Sequence, residues 1–524
     1  MYTVHFIDKM PPNTPPPSPG INRETEEIEG EMLEDDDVVE VIDLDDLDGD
    51  DDEEQLMQDN ENDMSVDTDI DIGSSLENES SAHEKIAEVN STIVFSLHKK
   101  SVFSCDISPN VNLPLAASGG EDDRAFIWNY KTGELVIELN SSNNSPIYKD
   151  SVIFVRFNKD GSLVAAADMS GAIIVWRIRN NCTTNSDNTL DSQSVIGVET
   201  KQVWSFDTSD ISWLDWHSGA SNVLFAGTEE SELWMWKVPS GDSKVYMGSG
   251  EKVEAAILMP DGKRIAVAYG DGNIKLFDLK TGDVLNTYAH YDKANETSDN
   301  EETQLGLPIA SLDVRSEGGG QILVSGGVNG IAKVYNTQTG KAIASLACPL
   351  VGSREAHSSD TPKTTTVEAV LFSKLDQNLI ITGTLDGIVT TWDVSTHVSK
   401  NSVNVGEGVV KMDWRNWTAK NNENQPKSDT SNFSAVGASH SHINKINSQS
   451  QIFIATLDGV IKIMDTRTGV ILGECSGHNA GILDISQSID GNILISCSDD
   501  GDCRVYDVEK VINESERNIT ESNE

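Results

Sequence analysis

The sequence predicts an all-β fold, an eight-bladed β-propeller that follows a disordered acidic N-terminal tail. Three observations predict it. A four-strand pattern recurs from residue 91 onward, a large apolar or aromatic residue returns at one fixed place in each repeat, and residues 1–90 differ from the rest in composition. A chain of 524 residues also exceeds what one ordinary core organises, which favours a repeat array.

The tail comes first. It opens Pro-rich and then runs from Glu24 to Asp63 with 22 acidic residues and no Lys or Arg. Such a segment cannot bury enough apolar surface to offset its ordering entropy, so disorder is expected over 1–90.

Each later unit has an alternating apolar strand, a turn that often carries Asp-Gly, a small-residue strand, and a strand ending in the anchor residue. SVIFVRFNKDGSLVAAADMSGAIIVWRI shows the whole pattern. The anchors fall at Trp128, Trp176, Trp236, Phe277, Tyr335, Trp392, Met464 and Tyr506, hence eight blades of the WD40 type. Excess length lies between strands, most of all in the polar insertion at about 418–449. Asp-Gly at 271–272, 386–387, 458–459 and 500–501 supplies the positive-φ positions of tight turns.

A propeller must close. The strand-like segment Ser91–Leu97 is expected to pair as the outermost strand of blade eight, which leaves no exposed sheet edge at the seam. The propeller is therefore assigned to 91–509. The polar residues 510–524 are read as a second disordered tail.

Charge narrows the function. With 38 basic and 86 acidic residues the chain carries −48, which argues against binding nucleic acid through phosphates. A basic polypeptide is the natural partner. The tail holds −27 of this charge and the remainder −21, so the propeller itself is acidic.

Within each blade, the turn before the first strand and the turn between strands two and three share one end, the top. Carboxylates collect in these turns, whereas the opposite turns repeat Lys-Thr-Gly or similar. The peptide-binding candidates are Glu121, Asp122, Asp150, Asp210, Glu229 and Glu230 at the top, with Glu368 and Asp484 in first strands near the channel. Each has an alternative reading as an ordinary turn or solvated carboxylate. Trp213 and Trp216 offer cation–π faces or core packing.

No phosphate loop, nucleophile elbow, metalloprotease helix or dinucleotide fingerprint occurs, so no enzyme, cofactor or metal site is expected. His98 and His478 stand where such repeats place a hydrogen-bonding core histidine. The six cysteines form no metal-ligand spacing. Cys497 and Cys503 flank a tight turn and allow a disulfide, although buried reduced thiols are the expectation. Neither a signal peptide nor a run long enough to span a bilayer is present, which suggests a cytoplasmic or nuclear monomer.

The fragments GGEDDRAFIW, ADMSGAIIVW, WMWKVPSGD, MPDGKRIAVAYGDG and GHNAGILD resemble, in order, the angio-associated migratory cell protein family of WD-repeat proteins. The acidic stretch VVEVIDLDDLD resembles that family's leader. The resemblance implies an eight-bladed propeller. It also implies a role like that of the fungal member, a ribosome-assembly chaperone capturing the basic N-terminus of the L-sixteen large-subunit protein; Glu368 resembles an acidic position of the family. A signalling scaffold and a histone-binding propeller are the alternative functions.

Overall fold

The computed structural model describes residues 89–140, 147–180, 198–291, 307–316, 320–350, 365–374, 376, 378–416 and 450–521. Of the tail expected over 1–90, residues 1–88 lie outside the described residues, as does the insertion expected at about 418–449; Val89 and Asn90 are described as part of the ordered structure.

The alternating sequences form eight antiparallel sheets of four strands, each a meander in chain order except the last. The first strands of blades one to eight are Val102–Ile107, Val152–Phe157, Ile211–Trp216, Val253–Leu258, Ile309–Val314, Val367–Phe372, Val409–Trp414 and Ile482–Gln487. They touch one another in sequence and the eighth returns to the first, so the ring is closed around a central channel. Hydrogen bonds between neighbouring first strands advance in step: Cys105 N and Ile107 N of blade one reach Asp484 and Ser486 of blade eight. These strands therefore run parallel, and all eight blades share one top.

All eight predicted anchors sit in third strands, and Trp128, Trp236, Phe277, Tyr335, Met464 and Tyr506 are fully buried between blades. Alanines such as Ala165–Ala167 share the anchors' apolar clusters, because only small side chains fit where adjoining sheets approach. The Asp-Gly turns form as expected, with Gly272 at φ 75° and Gly501 at φ 85°.

Ile93–Phe95 pairs antiparallel with Cys503–Asp507 and completes blade eight. Phe95 then stacks on Trp128 of blade one at 4.7 Å between ring centroids. Asn90 straps this strand to the neighbouring blade: its Nδ2 donates to the Glu474 carbonyl, and its Oδ1 accepts from Ser476 N.

The chain end departs from the tail expected over 510–524. Val508–Glu521 is a helix packed along the outer strand of blade seven, Val470–Cys475. Val508, Val511 and Ile512, at helical i, i+3 and i+4 spacing, enter the apolar cluster there and cover the strand edge. Buried Arg415 ties the helix down, donating to Glu509 at 2.7 Å and to the Gly491 carbonyl at 2.8 Å. Cys497 and Cys503 lie opposite each other across two strands as free, buried thiols.

Candidate peptide-binding face

Two repeated features build the top of the ring. In every blade the first residue of the turn between strands two and three donates its N–H to the carbonyl just ahead of the first strand, at 2.9–3.3 Å. This bond sets a rim of eight residues: Glu121, Met169, Glu229, Gly270, Val328, Leu385, Leu457 and Asp499. Next, each first strand carries a register shift after its first residue, so its second residue is left without a cross-strand partner. A bulge re-aims a side chain and ends regular pairing. The eight bulge residues, Phe103, Ile153, Ser212, Glu254, Ala310, Glu368, Val410 and Leu483, are all half-buried at the top end of the channel.

Charge is sorted between the two ends. Among the described residues, the top turns hold fifteen carboxylates and four lysines, whereas the opposite turns hold six carboxylates and eight Lys or Arg. The carboxylates are not spread evenly over the rim, however. Acids occupy the rim position in blades eight, one and three; apolar side chains occupy it in blades two, five, six and seven.

The candidate residues separate into two groups. Asp210, Glu229 and Glu230 are exposed and adjacent in blade three, where Glu229 N bonds the Asp210 carbonyl at 2.9 Å. Asp150 is exposed and accepts from Ser151 N, while Glu121 pairs with Lys100 at 3.3 Å on the surface. Glu368 is a bulge residue between Ala310 and Val410, those of the flanking blades. It meets no ion-pair or hydrogen-bond partner among the described residues, and burial alone raises its pKa.

Asp122 and Asp484 are committed to the interior. Asp122 accepts from His98 Nδ1 at 2.8 Å and from Lys99 N at 3.0 Å, while His98 Nε2 meets Ser118 Oγ at 3.0 Å. Burial would raise the Asp122 pKa, but its bonds and the His98 charge outweigh that and lower it. Blade eight repeats the arrangement with Asp500, His478 and Ser496, and Asp500 is lowered to about 2.

Asp484 lies below the mouth. It accepts from Lys411 Nζ at 2.5 Å and Arg156 Nη1 at 3.2 Å, and these two cations overcome the effect of burial to lower its pKa. Neither His98 nor the two cations is close to these aspartates in sequence, so composition and turn spacing could not assign them. The pairing histidines themselves were legible. Arg156 and Lys411 were missed, although a charged residue in an otherwise apolar first strand is a signal. Trp213 is half-buried in the channel, and Trp216 is core, donating its indole N–H to the Arg156 carbonyl at 2.9 Å.

Comparisons with known proteins agree with this geometry. The model of the WD domain, G-beta repeat, matches residues 90–129 and 469–507, the two blades that hold the complete Asp–His–Ser arrangement. The anaphase-promoting complex subunit 4 WD40 domain model matches residues 218–313. Human angio-associated migratory cell protein is 30% identical over 423 residues, covering 80% of this chain and 81% of the relative. Ribosome assembly protein SQT1 of Saccharomyces cerevisiae is 21% identical over 413 residues, covering 75% of this chain and 79% of that protein. Chaetomium thermophilum Sqt1 bound to the N-terminus of the ribosomal protein L10 superposes with a TM-score of 0.61 at 17% identity, covering 80% of this chain and 100% of that one. At that identity the superposition supports the fold alone. The human relative, similar along four-fifths of both chains, carries the assignment further: this protein belongs to the angio-associated migratory cell protein family of WD-repeat proteins.

Proposed function

We propose that this protein is a chaperone that captures the basic N-terminal segment of a newly made ribosomal protein on the acidic top of its propeller. The observation that carries the reading is Glu368. A half-buried carboxylate that no cation among the described residues pairs with has lost hydration without compensation from them. An incoming Lys or Arg restores that loss, and Arg does so bidentately. Carboxylates of blades eight, one and three extend the field outward and would speed encounter with a cationic chain by roughly 10- to 1000-fold.

Two relatives support the choice of partner. The Saccharomyces relative is a ribosome assembly protein, and the Chaetomium neighbour holds the N-terminus of ribosomal protein L10. The resemblance read from the sequence points to the L-sixteen large-subunit protein as the partner. Capture during synthesis puts the chaperone in the cytoplasm, and simple binding requires neither cofactor nor catalysis.

The test is purification of the tagged full-length chain from translating cells, followed by sequencing of the co-purified messages. Strong enrichment of one ribosomal-protein mRNA is expected. Recovery of histones without any such message would replace this reading with histone binding.

A further inference from the structure

The rim contains a sector that its acidity does not explain. Leu385 of blade six and Leu457 of blade seven are each 45% exposed. Their side chains converge over Gly408, where an added Cβ would stand 3.2 Å from Leu385 Cδ1 and 3.0 Å from Leu457 Cδ1. The Leu457 side chain also reaches Gly481 of the next turn. The result is a low apolar shelf across the top of two blades.

This shelf adjoins Glu368, a carboxylate without a partner among the described residues. Leu385 N bonds the carbonyl of Thr366, the residue just ahead of the strand and two before Glu368, which keeps the two within about 7 Å along the chain. In an extended peptide, side chains two residues apart point the same way and lie about 7 Å apart. We infer that this sector of the mouth takes a peptide bearing an aliphatic or aromatic side chain two residues from a Lys or Arg, the cation meeting Glu368 and the apolar group covering Leu385 and Leu457. The inference rests on the proposed capture of a basic segment and narrows it. A purely polybasic chain satisfies the charge and leaves the shelf wet.

The experiment compares two short synthetic peptides of equal charge on the full-length protein by titration calorimetry. One places Leu two residues from each Arg, with Ser between; the other has Ser at each Leu position. The wild-type protein is expected to bind the Leu peptide roughly tenfold more tightly. Leu385→Ser with Leu457→Ser, at exposed positions that leave the melting temperature unchanged, should abolish that preference while keeping affinity for the Ser peptide. Equal affinities on the wild type overturn the inference and leave the acidic-face reading standing. A preference that survives the double substitution also overturns it, because the apolar contact then lies elsewhere. If neither peptide binds the wild type, the inference and the underlying reading both fail.

Discussion

Arg156 of blade two and Asp484 of blade eight, 328 positions apart in sequence, meet at 3.2 Å inside the channel, and Lys411 of blade seven closes on the same carboxylate. Arg156 Nη1 also donates to Ser104 Oγ of blade one at 2.7 Å. One buried carboxylate thus cross-links four blades, seven, eight, one and two, around the ring seam. Asp484→Asn should remove that link and leave two cations facing each other. We expect a loss of about 3 kcal/mol in urea unfolding, the low end for a broken buried pair because Lys411 remains partly exposed. The sign with pH follows from the lowered pKa of Asp484. Its contribution is present above the ordinary carboxylate range and is lost as pH falls through its depressed value, so the two proteins should converge in stability only in strong acid.

Asp150→Lys combined with Asp210→Lys reverses two exposed charges of the top face without touching the core. Basic-peptide affinity should fall roughly tenfold or more, with a weaker dependence on salt, while the melting temperature stays nearly constant. Unchanged capture would remove blades two and three from the binding face.

Glu368→Gln separates binding from folding. Burial raises the Glu368 pKa, so ionisation costs folding free energy: the stabilising protonated form is complete below the ordinary glutamate range and lost as pH rises through the raised value. At neutral pH the Gln variant should melt slightly higher than wild type and bind basic peptide roughly tenfold more weakly. A melting curve at pH 4 should erase the thermal difference. A variant that melts lower at pH 7 would show that the carboxylate has an internal partner.

Asp122→Ala tests the opposite case. The substitution deprives His98 Nδ1 and Lys99 N of their acceptor and should cost about 1–3 kcal/mol in denaturant unfolding. Peptide affinity of the folded fraction should remain within a factor of two. A selective loss of binding at unchanged stability would return Asp122 to the mouth.

The fold was readable because propeller blades write their register locally. Alternation, Asp-Gly turns and the third-strand anchors all lie within one repeat, and even Met464 served as an anchor because the position demands bulk rather than aromaticity. The closing strand at Ile93–Phe95 was readable for a different reason: its apolar run precedes the first repeat and the residues after Val508 are too polar to supply that strand. The C-terminal helix was obscured by its polar surface; only Val508, Val511 and Ile512 mark its buried stripe. The candidate site was less readable, since it depends on neighbours from other blades. Asp122 and Asp150 look alike as acids near top turns, yet His98 takes one inward and the other faces water. The rim order was equally hidden, because it requires knowing that Leu385 and Glu229 occupy equivalent positions.

The strand supplied by Ile93–Phe95 has a kinetic consequence. Thr92 and Val505, its bonded partner, are 413 residues apart. At about 5–20 residues per second, a ribosome needs roughly 20–80 s between making the two. For that interval the earliest-made strand waits without a mate. The toroid latches only once Val505 has left the exit tunnel, so the mouth stays unsealed at this seam until then.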